Sequence, residues 1–214
     1  MGITEVVFSP DNLIVQPGTH DKAITLLTGQ NLVRGSVLGE IKFAAGTPVF
    51  SGTGNGTMQN LEPRKKSVVG DYKVECIEAA ADGGKFKVET PNGERLADAE
   101  VGVAYDNDYI AFEIVDGTTD FVTGDVFTVP IEAHTDAGKH VLSVESAVDG
   151  SQVPDCILAL DTDASAAEKK THAYDEAHVN ERFLTYGAGH DKDTVKASFR
   201  ENKVRIFLYD SVAG

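Results

Sequence analysis

Positive charge is what this chain most lacks. Nineteen Lys and Arg face 34 Asp and Glu, a formal net charge of -15 at pH 7. Affinity for a nucleic-acid backbone comes largely from Lys and Arg, so DNA is not an expected direct partner. Acidity of this size also keeps a protein soluble, a role that requires no partner. No apolar run approaches the length of a membrane span, and the N-terminus has no basic region followed by an apolar segment. A membrane partner is therefore not expected, and a cytosolic origin is favoured. The two cysteines, Cys76 and Cys156, fall in separate apolar strand patterns. They are expected to be buried free thiols and give no disulfide framework.

Motifs that carry chemistry are missing too. There is no Gly-x-Ser-x-Gly elbow, and neither cysteine sits in a nucleophile context. His172 and His178 are six apart on one expected strand and share a face, with His190 further on. No pair has the i, i+4 helical spacing of a zinc site with its central Glu, nor a Cys/His pairing of zinc type. Asp161-Thr162-Asp163 and the stretch Asp116 to Asp125 are oxygen-rich, but neither follows the order of a Ca²⁺ loop. Gly52, Gly54 and Gly56 form a Gly-x-Gly-x-Gly loop with no helix opening after it, as a phosphate cradle requires. A flexible inter-domain hinge is the expectation there, and a solvated loop at Arg64-Lys65-Lys66. No catalytic residue, cofactor site or metal site is assigned, and no enzyme activity is expected.

What is present is β patterning. Zero Trp, 21 Gly and many Val, Thr and Asp suggest short strands joined by tight turns. Lys22 to Leu27 and Leu32 to Ile41 are expected as two strands around the turn Thr28-Gly29-Gln30-Asn31. From Lys42 to Thr135 the apolar residues recur every second position. They are Tyr72, Val74 and Cys76, then Phe86 and Val88, then Val101 and Val103. Ile110, Phe112 and Ile114 follow, then Phe127, Val129 and Ile131. Asp82-Gly83-Gly84 predicts a hairpin turn between the first two groups, and the whole predicts a small all-β sandwich or barrel. After Asp161 the pattern mixes. A strand is expected near Thr171 to Ala177, and a helical turn near Asn180 to Leu184. A helix capped at Asp191 to Asp193 then runs to about Glu201, with Val195 and Phe199 on one face. The last strand, through Val204, Ile206 and Leu208 with Phe207 and Tyr209 opposite, is expected to be covered on both faces.

The first 20 residues are too broken for a helix and too short for a sheet of their own. Ile3, Val6, Val7 and Phe8, then Leu13, Ile14 and Val15, are separated by turn residues around Pro10 and Pro17. They predict an extended arm that orders on a partner surface, or else an edge strand folded back on its own domain.

Two stretches look like halves of one unit. VRGSVLGEI (Val33 to Ile41) and GKHVLSVESAVDGSQVPDCILALD (Gly138 to Asp161) are separated by residues 42–137. Read consecutively, with Gly39 and Gly138 at the seam, they resemble the lambda-type head decoration proteins of tailed phages. In that family an RGSVLG strand runs directly into a short GKY, a DGSQ turn and a strand followed by two spaced Asp. Within the intervening segment, GNGTM (Gly54 to Met58) and DGTTDFVTGDVFTV (Asp116 to Val129) resemble an all-β module that recurs inside phage decoration proteins.

The resemblance implies an α+β, mostly-β fold: a small decoration-protein core with short helices, interrupted by an all-β inserted domain. The boundaries expected are an arm at 1–20, a discontinuous core at 21–43 and 136–214, and the insertion at 44–135. It further implies a capsid cement protein, made in the host cytoplasm and carried on the outside of the virion. There the partners would be the major capsid protein and two further copies of itself. Ile3, Val6, Val7, Phe8, Leu13, Ile14 and Val15 would be the capsid-binding arm. A β-domain adhesin that recognises a glycan or host surface is the alternative, although such a protein has no reason to carry the RGSVLG and DGSQ framework.

Overall fold

The computed structural model describes residues 12–210. Before the seam lie β1 (His20–Leu26), β2 (Gln30–Leu32) and β3 (Val37–Glu40). The intervening segment supplies β4 (Phe43–Ala45), β5 (Val49–Ser51), β6 (Thr57–Pro63), β7 (Gly70–Ala80) and β8 (Gly83–Glu89). It continues with β9 (Ala99–Glu100), β10 (Ala104–Asp106), β11 (Ile110–Val115) and β12 (Val126–Ala133). After it come β13 (His140–Leu142), β14 (Pro154–Leu158), β15 (Thr162–Ala164) and β16 (Lys169–Asn180). A 3-10 turn (Glu181–Phe183), the helix α1 (Lys192–Glu201) and β17 (Arg205–Tyr209) complete the order. The fold is mostly β with one α-helix among the described residues, the α+β class expected.

By contacts the chain divides into two compact units. One contains the described residues through Glu40, together with Lys139–Glu145 and the chain from Val153. The other contains Ile41–Gly138 and Ser146–Gln152.

In the first unit, β1, β13, β3, β14 and β16 pair in that order, and β1 also pairs with β16, so the ring of strands closes. Closure removes the open edges that would otherwise template aggregation. Side chains alternate across these strands. Leu38, Cys156 and Leu158 join Ile24, Leu26 and Ala173 in one core cluster, while their neighbours Val37 and Ile157 join Val179, Val195, Phe199 and Ile206 in another. The Val37-Leu38 and Cys156-Ile157-Leu158 runs are therefore apolar at successive positions because both faces of β3 and β14 are covered.

The strands expected on either side of Thr28 to Asn31 are present but do not pair with each other. The turn is there, but β1 pairs antiparallel with β16 along its whole length, and the following segment splits into β2, on β15, and β3, between β13 and β14. At the other end, α1 begins as the sequence predicts. The Asp191 side chain accepts from the N–H groups of Asp193 and Thr194, Thr194 Oγ1 accepts from the Asp191 N–H, and Val195 and Phe199 are buried. β17 is covered on one face only. Ile206 packs on the core, while Phe207 remains 52% exposed and Tyr209 38%.

The second unit has two sheets, β4-β12-β7-β8-β9, with β5 following β4 along β12, and β10-β11-β6. Their inward residues, Tyr72, Val74, Phe86, Val88, Phe127 and Val129 from one and Ile110, Phe112 and Ile114 from the other, make a single core. β7 and β8 form the expected hairpin, with Asp82 itself at φ 52°. Val101 and Val103 are not on a strand. They occupy the turn between β9 and β10, and Val103 is exposed.

The Gly52–Gly56 loop is a clamped turn and not a hinge. The buried Asp125 carboxylate accepts from the N–H groups of Thr53 (2.8 Å), Gly54 (3.0 Å) and Val122 (3.0 Å). A Cβ at Gly56 would sit 2.2 Å from the Phe121 ring, so Gly is required for close approach. The stretches Gly54 to Met58 and Asp116 to Val129 thus form one packed feature. Asn55 joins them further by accepting from the Thr119 N–H and donating to Thr118 Oγ1.

Candidate functional site

The residues that carry the resemblance have structural tasks. Gly35 lies at φ 92°, and a Cβ there would meet the Phe183 carbonyl oxygen at 2.5 Å. Its N–H donates to the Leu158 carbonyl and its own carbonyl accepts from Thr185, so the RGS turn ties β14 to the 3-10 turn. Arg34 lays its guanidinium 5.9 Å over the Tyr174 ring, while its N–H donates to Asp161 Oδ1 at 2.7 Å. In DGSQ, Asp149 Oδ1 accepts from both the N–H and hydroxyl of Ser151. Gln152 Oε1 takes the Gly150 N–H, and Gly150 sits at φ 100°. These are self-capped turns of the kind Asx chemistry builds.

Of the seven arm residues, Ile3, Val6, Val7 and Phe8 lie outside the described residues. Leu13, Ile14 and Val15 lie along the end of β16. Ile14 faces Val179 in an antiparallel bridge. The Asn180 N–H donates to the Leu13 carbonyl (2.8 Å), and the Val15 N–H to that of His178 (2.9 Å). Leu13 is buried with Val179, Leu184 and Phe199. The Leu13 and Ile14 side chains pack on the chain's own core, and Val15 is tied to β16 through its backbone.

Opposite the same stretch of β16 lies β17, paired in parallel from Glu176↔Arg205 to Asn180↔Tyr209. Val179 therefore has Ile14 on one side and Leu208 on the other. The root of the N-terminal segment and β17 are separated only by β16, about 10 Å across two strand spacings. The solvent face of this end is aromatic. The His178 ring stacks on Phe207 (5.1 Å, 20°), its Nδ1 lies 2.9 Å from the Tyr209 hydroxyl, and Arg205 pairs with Glu176 at 2.7 Å. Sequence periodicity placed Phe207 and Tyr209 together, but their exposure depends on what fails to cover them.

Behind β17, a groove of about 480 Å³ runs along α1, with Lys196 and Arg200 on its rim and Phe199 and Ile206 at its base. Lys196 hydrogen-bonds the Glu181 carboxylate, with Lys192 at 3.4 Å. These cations, Lys196 first, hold the buried Glu181 carboxyl below its ordinary range. They also fix the 3-10 turn that presents Phe183, 46% exposed.

Two groups of potential metal ligands converge among the described residues: His140, Asp155 and Cys156, and the more exposed Asp82, Asp116 and Asp120. Neither set is visible as a spaced motif. His172 and His178, the pair considered from sequence, do not come together as ligands: His172 engages Asp21 and His178 engages Tyr209.

The family model for bacteriophage lambda head decoration protein D matches residues 3–206. Comparison with curated proteins and with solved structures finds no significant match. The matched span takes in every strand but the last few residues of β17, as well as the RGSVLG and DGSQ turns whose geometry is described above. The chain belongs to the bacteriophage lambda head decoration protein D family, a family of structural capsid proteins of the virion.

Proposed function

We propose that this decoration protein binds the outside of the expanded head as a homotrimer at threefold and quasi-threefold positions, and stabilises the shell against the pressure of packaged DNA. The observation that carries this reading is the family match across residues 3–206. Threefold symmetry makes the task feasible with small contacts. Once one subunit is seated, its two linked copies meet their own footprints at high effective concentration.

The capsid-facing end is the end of β16. From there the chain ahead of Asn12 extends to add a strand to the major capsid protein, a mode in which main-chain hydrogen bonds supply affinity and alternate side chains supply selectivity. Each such bond nets about 0.5–1.5 kcal/mol, so several per arm and three arms are needed. Beside it, the exposed strip of His178, Phe207 and Tyr209 supplies apolar area that a lone subunit leaves in water. The second unit takes no part in shell binding.

Deleting residues 2–10 leaves the Leu13 to Val15 pairing on β16 in place. The truncated protein should keep its thermal midpoint within a few degrees but lose most of its co-sedimentation with expanded heads. Undiminished head binding by that truncation rules out the arm as the main anchor. Failure of the full-length protein to bind expanded heads at all rules out the cement role.

A further inference from the structure

We propose that His140, Asp155 and Cys156 form a binding site for one divalent transition-metal ion of the zinc type, inside the strand ring of the first unit. Strands β13 and β14 both flank β3, which places His140 of one beside Asp155 and Cys156 of the other. A ring nitrogen, a carboxylate oxygen and the thiol sulfur lie within 4.8 Å of one another. Nitrogen, oxygen and sulfur together are the donor set that borderline ions select. Bonds of 2.0–2.3 Å to a tetrahedral ion set such donors about 3.3–3.8 Å apart. From separations of up to 4.8 Å, reaching that spacing takes side-chain shifts on the order of 1 Å.

The surroundings point to a ligand. His140 is 5% exposed and Cys156 fully buried. His140 Nε2 lies 3.2 Å from Asp155 Oδ2, yet His140 Nδ1 and Asp155 Oδ1 are buried with no hydrogen-bond partner among the described residues. Buried polar atoms left in this way are rare in native proteins. A cation is already recognised at the carboxylate: Lys22 Nζ stands 2.9 Å from Asp155 Oδ2, with its side chain 34% exposed. When the ion binds, the ammonium gives way toward water and toward Glu40, whose charge also acts on Lys22. Charge balances throughout. Two positive charges on the ion meet the Asp155 carboxylate and a Cys156 thiolate, with His140 neutral. Forming the sulfur–metal bond releases one proton from the thiol to solvent, so affinity rises with pH.

The test is titration of the full-length protein with Co²⁺, followed by competition with Zn²⁺. The expected result is a stoichiometric near-ultraviolet thiolate-to-cobalt charge-transfer band, displaced by Zn²⁺ and strengthening as pH rises. Cys76→Ser should retain the band. Cys156→Ser, and independently His140→Asn, should remove it or weaken binding by more than about tenfold while circular dichroism stays native. Lys22→Met, which removes the competing ammonium, should tighten binding. Absence of the band in wild type, its survival in Cys156→Ser, or its loss in Cys76→Ser overturns the proposal. If the Cys156 and His140 variants both misfold, unchanged affinity in Lys22→Met overturns it.

Discussion

Asp125 shows how much one side chain can organise. Its buried carboxylate gathers three backbone N–H groups from two segments that are some seventy positions apart in sequence. Burial alone raises such a carboxyl, but these three donors outweigh it and the net effect is a lowered pKa. Asp125→Ala should destabilise the second unit by on the order of 3 kcal/mol, since each charge-assisted bond lost leaves a donor unpaired. Urea unfolding, with amide exchange at Thr53 and Gly54 as the local probe, checks it. Because the folded pKa is depressed, this stabilisation is fully present above the unfolded value of about 4 and is lost as pH falls through the folded one. The Asp125→Ala variant should therefore show a flatter fall in stability than the parent as pH drops below about 4. None of this was legible in Gly52-Thr53-Gly54-Asn55-Gly56, which on its own suggests a hinge. The clamp comes from Phe121 and Asp125, and sequence spacing carries no trace of that contact.

Among the elements, legibility followed the range of the interactions. Helix α1 was readable end to end because its determinants are local: Asp191 and Thr194 close the first turn, Val195 and Phe199 lie one turn apart, and Asn202 ends it. Asp191→Ala should cost about 1 kcal/mol as a lost cap. Phe199→Ala should cost about 3–5 kcal/mol as a cavity against Val195 and Ile206. Thermal or denaturant unfolding of the pair would check the order as well as the sizes. Strand β1 was found but its partner was not, since β16 lies about 150 residues away and a nearby turn favours a hairpin. The pairing of Leu13 to Val15 with β16 was one of two readings the sequence left open, for the same reason: nothing short-range shows that the end of β16 is free to accept a strand. Phe207 and Tyr209 were placed on one face, but no periodicity shows whether a face is covered. The His140, Asp155 and Cys156 cluster arises through β3, which lies between two strands fifteen positions apart.

At the scale of the whole molecule, one chain alternates between two compact units. We expect the first to fold without most of the second. Replacing residues 44–135 by a short Gly/Ser linker retains Lys42 and Phe43, whose N–H groups donate to the Asp149 carbonyl at 2.7 and 2.8 Å. The shortened chain should give cooperative unfolding and protected amides in β3, β14 and β16, by circular dichroism and hydrogen exchange. An unfolded product would mean that the two units are one folding unit. It should also bind heads as the parent does, because the proposed capsid-facing end lies entirely in the first unit. Assembly on the shell is read most directly by a three-dimensional reconstruction of expanded heads saturated with the full-length protein. Trimeric density is expected on the outer surface at threefold and quasi-threefold positions, with the end of β16 toward the shell. Monomers or dimers at positions without threefold symmetry, or trimers seated by another face, would contradict it.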